Sequence, residues 1–137
     1  MKTLLSTAAA LTLTAGAAFA EAHATPMVEA SDQSVENGVV SAEMIVAPAN
    51  GWMVVHRVNE DGSPGPVAGY SPLREGENTD VPAILTEDVA AGDQLMLMIH
   101  GEDGGMTTGG FEYTLGASED GPIRIDGDLV MAVITAQ

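Results

Sequence analysis

Apolar residues alternate with polar ones along most of this chain, and clusters of Gly, Pro, Asn and Asp interrupt the alternation at short intervals. A period of two is typical of β-strands, whereas an amphipathic helix repeats every 3.6 residues. No segment keeps the helical period over the length of a helix. The pattern predicts candidate strands at residues 27–30, 39–47, 51–58, 67–70, 80–85, 94–100, 111–115 and 129–135.

Seven or eight short strands within one small domain predict an all-β fold, an antiparallel immunoglobulin-like sandwich. Turns are predicted between the strands, for example at Glu36-Asn37-Gly38, at residues 74–78 and at Glu119-Asp120-Gly121. The alternative fold is a cupredoxin-like sandwich, in which some of the strands pair in parallel.

Two of the predicted strands are apolar on both faces. In residues 51–58, Trp52 and His56 share one face with Val54, while Met53 and Val55 occupy the other. Residues 94–100 follow the same pattern and end in His100. Strands of this kind lie at the centre of a sheet or beneath a covering loop.

The first residues have the layout of a secretory signal peptide, with a basic start, an apolar run and an A-x-A cleavage site. We expect residues 1–20 to be the signal peptide, 21–26 a flexible lead-in, and 27–137 a single β-sandwich domain. Cleavage is expected after Ala20, with Ala24 as the alternative. The mature protein is then periplasmic or secreted, and no later segment is long and apolar enough to span a membrane.

Charge and cysteine content narrow the range of partners. Cleavage after Ala20 leaves three arginines against all twenty carboxylates, a net charge of −17. Such a chain repels nucleic acid and anionic lipid, so neither is an expected partner. The chain has no cysteine, which excludes disulfides, thiolate metal sites, a cysteine nucleophile and a lipid anchor.

Short motifs in a fixed order run through residues 28–135. They include Gly51-Trp52-Met53-Val54-Val55-His56, Leu97-Met98-Ile99-His100, Phe111-Glu112-Tyr113 and Asp120-Gly121-Pro122. This series resembles an uncharacterised secreted β-sandwich domain of unknown function, found in haloarchaeal and bacterial surface proteins. The resemblance implies the fold and the secreted setting but no activity. Glu102 departs from the family, which usually has aspartate there.

His56, Met98 and His100 form a candidate metal site, because imidazole and thioether together suit copper. The competing interpretation is that both histidines are buried and structural. If the two strands are antiparallel neighbours, His100 lies opposite Trp52 and His56 lies four residues away, or about 13 Å at about 3.3 Å per residue. We expect a shared metal site only if the strands pair in parallel.

Two other cation sites are weaker candidates. Cleavage after Ala20 places His23 third from the new amino terminus, where amine, amide and imidazole nitrogens form a square-planar Cu(II) or Ni(II) site. Acidic turns such as Glu102-Asp103 and Asp126-Gly127-Asp128 suit weak Ca²⁺ binding, although none has the EF-hand spacing. No cofactor is expected beyond these alternatives.

The sequence contains no catalytic motif of the common hydrolase, zinc-protease or nucleotide-binding types. We therefore expect a non-enzymatic binding or interaction module for an unknown protein or small ligand. Its candidate binding surface comprises Trp52, His56, Arg57, Tyr70, His100 and Glu102. The alternative is a periplasmic copper-binding protein that uses His and Met ligands.

Overall fold

The structure is a computed structural model that describes residues 24–137. The predicted signal peptide and His23 lie outside the described residues. Nine strands make up the fold of the described part: β1 (Met27–Glu29), β2 (Val39–Ala47), β3 (Gly51–Val58), β4 (Pro64–Leu73), β5 (Gly76–Ile84), β6 (Gln94–Gly101), β7 (Arg124–Ile125), β8 (Asp128–Leu129) and β9 (Met131–Thr135). None of the described residues forms a helix that could cross a membrane.

The strands form two main sheets and a small hairpin. One sheet has the order β1-β2-β5, the other β4-β3-β6-β9, and β7 pairs with β8. All pairs of strands are antiparallel. The two sheets pack as a sandwich, which confirms the predicted all-β, immunoglobulin-like class. Within residues 24–137 the nine strands pair only antiparallel, and an isolated bridge between Gln33 and Ala136 is parallel.

Aliphatic side chains from both sheets fill the space between them. β2 contributes Val40, Ala42 and Ile45, and the four-stranded sheet contributes residues that are fully buried, including Met53, Val55, Leu95, Leu97, Ile99 and Ile134. At about 25 cal/mol per Å² of apolar area removed from water, this cluster provides the main driving force for folding. We call this side of the four-stranded sheet its core face.

β3 and β6 are the two central strands of that sheet, as their apolar pattern predicts. They pair so that Trp52 lies opposite His100 and His56 opposite Met96. The residues that alternate with the core face are buried as well: Trp52, Val54, His56, Met96, Met98 and His100. These residues form a second buried layer on the opposite side of the sheet, which we call the cover face.

The strands differ from the prediction in several places: β4 is longer than the predicted segment 67–70, and β7 has no predicted counterpart. Residues 111–115 form no strand, so the apolar alternation of Phe111 and Tyr113 serves packing rather than sheet pairing. β5 begins at Gly76, within the segment expected to be a turn. The predicted strand 129–135 is interrupted at Val130, whose backbone bonds instead to Ile99 and Ile123. The differences at β5 and at Val130 come from pairing between distant segments, which local alternation does not encode; the difference at residues 111–115 comes from packing of the two rings on the sheet.

Candidate functional site

The cover face is closed by residues 102–122, which we call the cover segment. It leaves the end of β6, crosses the outer side of the sheet as turns, and returns beside the same strand. Its two ends are held by backbone hydrogen bonds from Gly101 N to Gly121 O and from Asp120 N to Asp103 O, at 3.0 and 2.8 Å. The segment is therefore anchored as a closed loop over the two central strands.

Aromatic rings attach the cover segment to the sheet. Phe111 stacks on Tyr70 with a centroid separation of 4.2 Å and meets the edge of Trp52 at 5.5 Å. Tyr113 stands edge-on to the rings of His100 and His56, at 4.5 and 5.8 Å. Edge-to-face pairs of this kind contribute about 0.5–1.5 kcal/mol each beyond their buried area.

Polar contacts complete the attachment. Trp52 donates its indole N–H to Glu102 Oε2 at 2.9 Å, and Glu102 Oε1 accepts the N–H of Gly109 at 3.0 Å. The buried carboxylate of Asp120 accepts the backbone N–H of Glu112 at 2.8 Å and that of Asp103 at 3.1 Å. Asp120 also adopts a left-handed conformation, with φ 44°, which aspartate tolerates better than most residues.

Beneath this cover the rings of His56 and His100 meet. Their Nε2 atoms lie 3.2 Å apart, and both side chains have no solvent exposure. The Nδ1 of His56 contacts the carbonyl oxygen of Gly65 at 2.8 Å, and the Nδ1 of His100 contacts that of Asp120 at 2.6 Å. Each ring is therefore fixed at one nitrogen by a backbone carbonyl and directed at the other ring with its second nitrogen.

The contact between the two Nε2 atoms corrects the prediction that antiparallel pairing keeps the histidines apart. The predicted register holds, because Trp52 does lie opposite His100. A distance measured along the backbone is misleading here, since side chains in a twisted sheet lean along their strands. The pairing of β3 with β4 also shifts register between Val55 and His56, and such a bulge changes the direction of a side chain.

The approach of β3 to β6 at this end depends on a missing side chain. A Cβ atom at Gly51 would lie 2.2 Å from the carbonyl oxygen of His100. The backbone of His100 therefore takes up space that any residue larger than glycine would occupy.

Burial controls the protonation of both rings. It lowers the pKa of His100 to about 4, although the hydrogen bond to the Asp120 carbonyl acts in the opposite direction and the nearby His56 lowers it further. Burial also lowers the pKa of His56, against a raising effect of the bond to Gly65. Removal of an imidazolium from water is the largest cause in both cases, so both rings are neutral at pH 7.

The other predicted site residues lie in different surroundings. Tyr70 belongs to the aromatic cluster but keeps 47% of its surface exposed. Arg57 lies apart from it, since its guanidinium bonds to Glu87 at 2.6 Å and Asp93 at 2.9 Å. Trp52, His56 and His100 are buried, so the six candidate residues do not form one exposed surface.

Comparison with known protein families identifies the domain. A family model described as a domain of unknown function, DUF7282, matches residues 26–137. The chain belongs to the DUF7282 family. No curated protein and no solved structure matches it. The residues matched to DUF7282 include Trp52, His56 and His100, together with Phe111 and Tyr113, the aromatic residues that cover them.

Sequence reasoning missed the role of the cover segment in this DUF7282 domain. Phe111, Tyr113 and Asp120 contact the candidate site, yet the sequence pattern predicts a strand for the first two and a turn for the third. One signal is present: two aromatic residues stand between Gly109-Gly110 and Gly116, in a segment too rich in glycine for a stable strand.

An acidic turn of the DUF7282 domain, at residues 59–63, uses its carboxylate to bind its own backbone. Asp61 Oδ1, for example, accepts the backbone N–H of Ser63 at 3.0 Å and its hydroxyl at 2.6 Å. Within residues 24–137, no group of three or more His, Cys, Asp or Glu side chains is placed to hold a metal ion. The described residues therefore contain no converging set of ligands that would support the Ca²⁺ alternative.

Proposed function

We propose that this protein is an exported, non-enzymatic binding module whose interaction surface is an apolar groove between the edge strands β4 and β5. The proposal rests on this groove because it contains Tyr70, the most exposed residue of the candidate binding surface. Its walls are formed by Val39, Tyr70, Ser71, Pro82, Ile84 and Thr86, around a volume of about 600 Å³. Ile84 is 76% exposed and Tyr70 47% exposed.

The groove lies where the two sheets approach each other. A Cβ at Gly69 of β4 would lie 2.7 Å from the carbonyl oxygen of Ile84 in β5. β4 and β5 are edge strands of their sheets, and they meet here, since the N–H of Thr86, just after β5, bonds to the carbonyl oxygen of Ala68 at 2.8 Å. Exposed apolar side chains beside strand edges are a common docking surface for an extended segment of another protein.

The charge of the domain indicates which kind of protein segment the groove would bind. The exposed carboxylates of Glu36 and Asp80 lie within three residues of the groove in the chain, and none of the mature chain's three arginines lines it. Glu87, which follows Thr86, is already paired with Arg57. With a mature net charge of −17, the domain attracts positively charged partners. We therefore propose as occupant a basic protein segment with apolar side chains.

A peptide titration tests the groove. We expect a peptide of alternating Leu and Lys to shift the amide NMR signals of Val39, Tyr70 and Ile84 at low salt, and a Leu–Glu peptide of the same length to leave them unchanged. The Ile84→Ser variant should weaken binding. Val133→Ser, an exposed apolar residue on β9 at the other edge of its sheet, is the matched control.

Equal shifts with both peptides, or shifts spread over the whole acidic surface, contradict the groove as the binding site. Self-association through the groove is a further outcome that contradicts the proposal. Light scattering would then show a dimer in wild-type protein that Ile84→Ser converts to monomer.

A second candidate function is copper binding by His and Met ligands, and the 3.2 Å separation of the histidine Nε2 atoms favours it. Calorimetric titration of the mature protein with Cu(I) and Cu(II) tests it, in a His23→Ala background that removes the amino-terminal Cu(II) site. Binding no tighter than about millimolar for both ions, which corresponds to about −4 kcal/mol, would contradict copper binding.

The absence of an enzyme activity is part of the first proposal. Both histidines are sealed under the cover segment, so no near-neutral base among the described residues reaches an external substrate. Export itself is tested by the intact mass of protein recovered outside the cytoplasm. A mass beginning at Glu21 retains His23, and one beginning at Thr25 lacks it.

A further inference from the structure

The contacts of His56 and His100 require more protons than two neutral rings carry. Three contacts lie in a row: Gly65 O to Nδ1 of His56, Nε2 to Nε2, and Nδ1 of His100 to Asp120 O. Each needs one hydrogen to be attractive, and carbonyl oxygens supply none. Two neutral imidazoles have two N–H groups between them, so one contact lacks a hydrogen.

The carbonyl oxygens of Gly65 and Asp120 determine which of the three contacts lacks a hydrogen. A carbonyl oxygen only accepts, so the contacts of 2.8 and 2.6 Å place both hydrogens on Nδ1. Both Nε2 atoms then direct lone pairs into the same 3.2 Å space. Both rings are without solvent exposure, so an extra proton between them would bury a positive charge that has no counter-charge, which is costly.

A metal ion satisfies this arrangement. Metal–imidazole bonds of about 2.0–2.1 Å that meet at a tetrahedral angle place the two nitrogens about 3.3 Å apart, close to the observed 3.2 Å. Metal-binding histidines also usually donate their other ring N–H to a carbonyl or carboxylate, which fixes the ring. Both rings do so here, with Gly65 and Asp120 as acceptors.

The residues around the two Nε2 atoms favour Cu(I) over other metal ions. No third His, Cys, Asp or Glu joins the pair among residues 24–137, but Met98 lies between the two histidines in the strand register and is 1% exposed. Thioether sulfur favours Cu(I) over Zn²⁺ and Cu²⁺. A single positive charge also costs less to bury than a double one, and the ring nitrogens of the pair contact backbone carbonyls and each other rather than a carboxylate.

We propose that the cover face binds one Cu(I) ion through Nε2 of His56, Nε2 of His100 and the sulfur of Met98. The proposal rests on the second candidate function and specifies its oxidation state and its ligands. The ion enters as cargo and no redox step is involved. The cover segment then acts as the part of the molecule that separates the bound ion from water.

Competition with a chromophoric Cu(I) chelator under anaerobic conditions tests the proposal, with Ag(I) as a redox-inert substitute. We expect one Cu(I) per protein in the His23→Ala background. Met98→Leu should weaken binding by at least about tenfold, or about 1.4 kcal/mol. Met53→Leu is the matched control, because Met53 is equally buried on the core face of the same sheet and should leave the affinity unchanged.

A measurement on unsubstituted side chains avoids the risk that histidine variants fail to fold. Long-range ¹H–¹⁵N spectra of the metal-free protein should show both rings with the hydrogen on Nδ1. Addition of Ag(I) should shift the Nε2 signals of His56 and His100 and leave the Nδ1 hydrogens in place.

The outcomes separate this proposal from copper binding in general. Binding of neither copper ion overturns both. Cu²⁺ or Zn²⁺ binding as tight as Cu(I), or equal affinity in Met98→Leu and wild type, overturns the Cu(I) site while copper binding stands. Ag(I) binding that leaves both Nε2 signals unshifted overturns the histidine ligands.

Discussion

The core face and the cover face belong to the same two central strands, yet they are buried by different means. On the core face, aliphatic residues such as Leu97 and Ile99 pack against a second sheet. On the cover face, Met98 and His100 pack under turns whose backbone groups bond largely to carboxylates and to one another. One strand thus supplies an aliphatic core on one side and a polar, aromatic layer on the other, and that second layer holds both buried imidazole groups.

Leu97→Ala has the largest expected effect on the free energy of unfolding. Leu97 has no exposed surface, and truncation of a buried leucine costs about 2–5 kcal/mol through lost burial and the cavity that remains. Urea unfolding of metal-free protein measures it. Met98→Leu on the cover face nearly conserves volume and should cost under about 1.5 kcal/mol. If it is as destabilising as Leu97→Ala, the two faces do not differ in the way described.

The pH dependence of stability should come from the cover face. Because the folded pKa of His100 is lowered to about 4, its contribution is complete above the unfolded value near pH 6.5 and is lost as the pH falls from there toward 4. We expect a loss of about 2 kcal/mol between pH 7.5 and pH 5 from His100, and a further loss from His56, whose pKa is also lowered.

Urea unfolding at several pH values, with chelator present, measures this loss. Leu97→Ala should give a parallel curve at lower stability, since it leaves the rings in place. A curve that is flat between pH 7.5 and pH 5 in the wild type would show that the two imidazoles titrate in the folded protein as they do in water.

Asp120→Ala should loosen the cover segment more than the sheet. The substitution leaves the N–H groups of Asp103 and Glu112 without their acceptor and puts alanine at φ 44°, at a local cost of about 1–3 kcal/mol. Hydrogen exchange should speed up at those two amides while the amides of β3 and β6 stay protected. Asp120→Asn, which keeps an acceptor, should have the smaller effect, and equal exchange in both variants contradicts the role of the carboxylate.

Glu87→Gln has the smallest expected effect. Its partner Arg57 lies at the end of β3, outside both buried faces, and the ion pair is partly exposed. Exposed pairs contribute about 0–1 kcal/mol, and Asp93 remains to bond the guanidinium. Urea unfolding should show a change within that range, and a larger loss would place a third stabilising region at this corner of the molecule.

The fold is predictable because alternation is a local property. Strands that are apolar on both faces, such as 51–58 and 94–100, belong at the centre of a sheet, and antiparallel pairing of the two predicts Trp52 opposite His100, as observed. The boundaries are less predictable. Phe111 and Tyr113 alternate as strand residues do, but their segment pairs with no strand, and their rings cover the sheet instead.

The site is predictable only as a set of residues. The chemistry of His56 and His100 identifies them, whereas the contact between their rings depends on the bulge beside His56, the lean of both side chains and the cover segment above them. Each of these is a tertiary property. A backbone separation of about 13 Å and an observed nitrogen separation of 3.2 Å are compatible, because the rings extend toward each other over the intervening Val54–Met98 pair.

The close approach at Gly51 bears on any attempt to transplant this pair of histidines. A designer who copied only His56, His100 and Met98 onto another two-stranded ribbon would omit the residue that lets the strands lie so close at one end. With alanine in place of that glycine, the new Cβ would lie 2.2 Å from the carbonyl oxygen of His100, and the two strands would have to move apart. The smallest transferable unit therefore contains one glycine whose whole contribution is the space that it leaves empty.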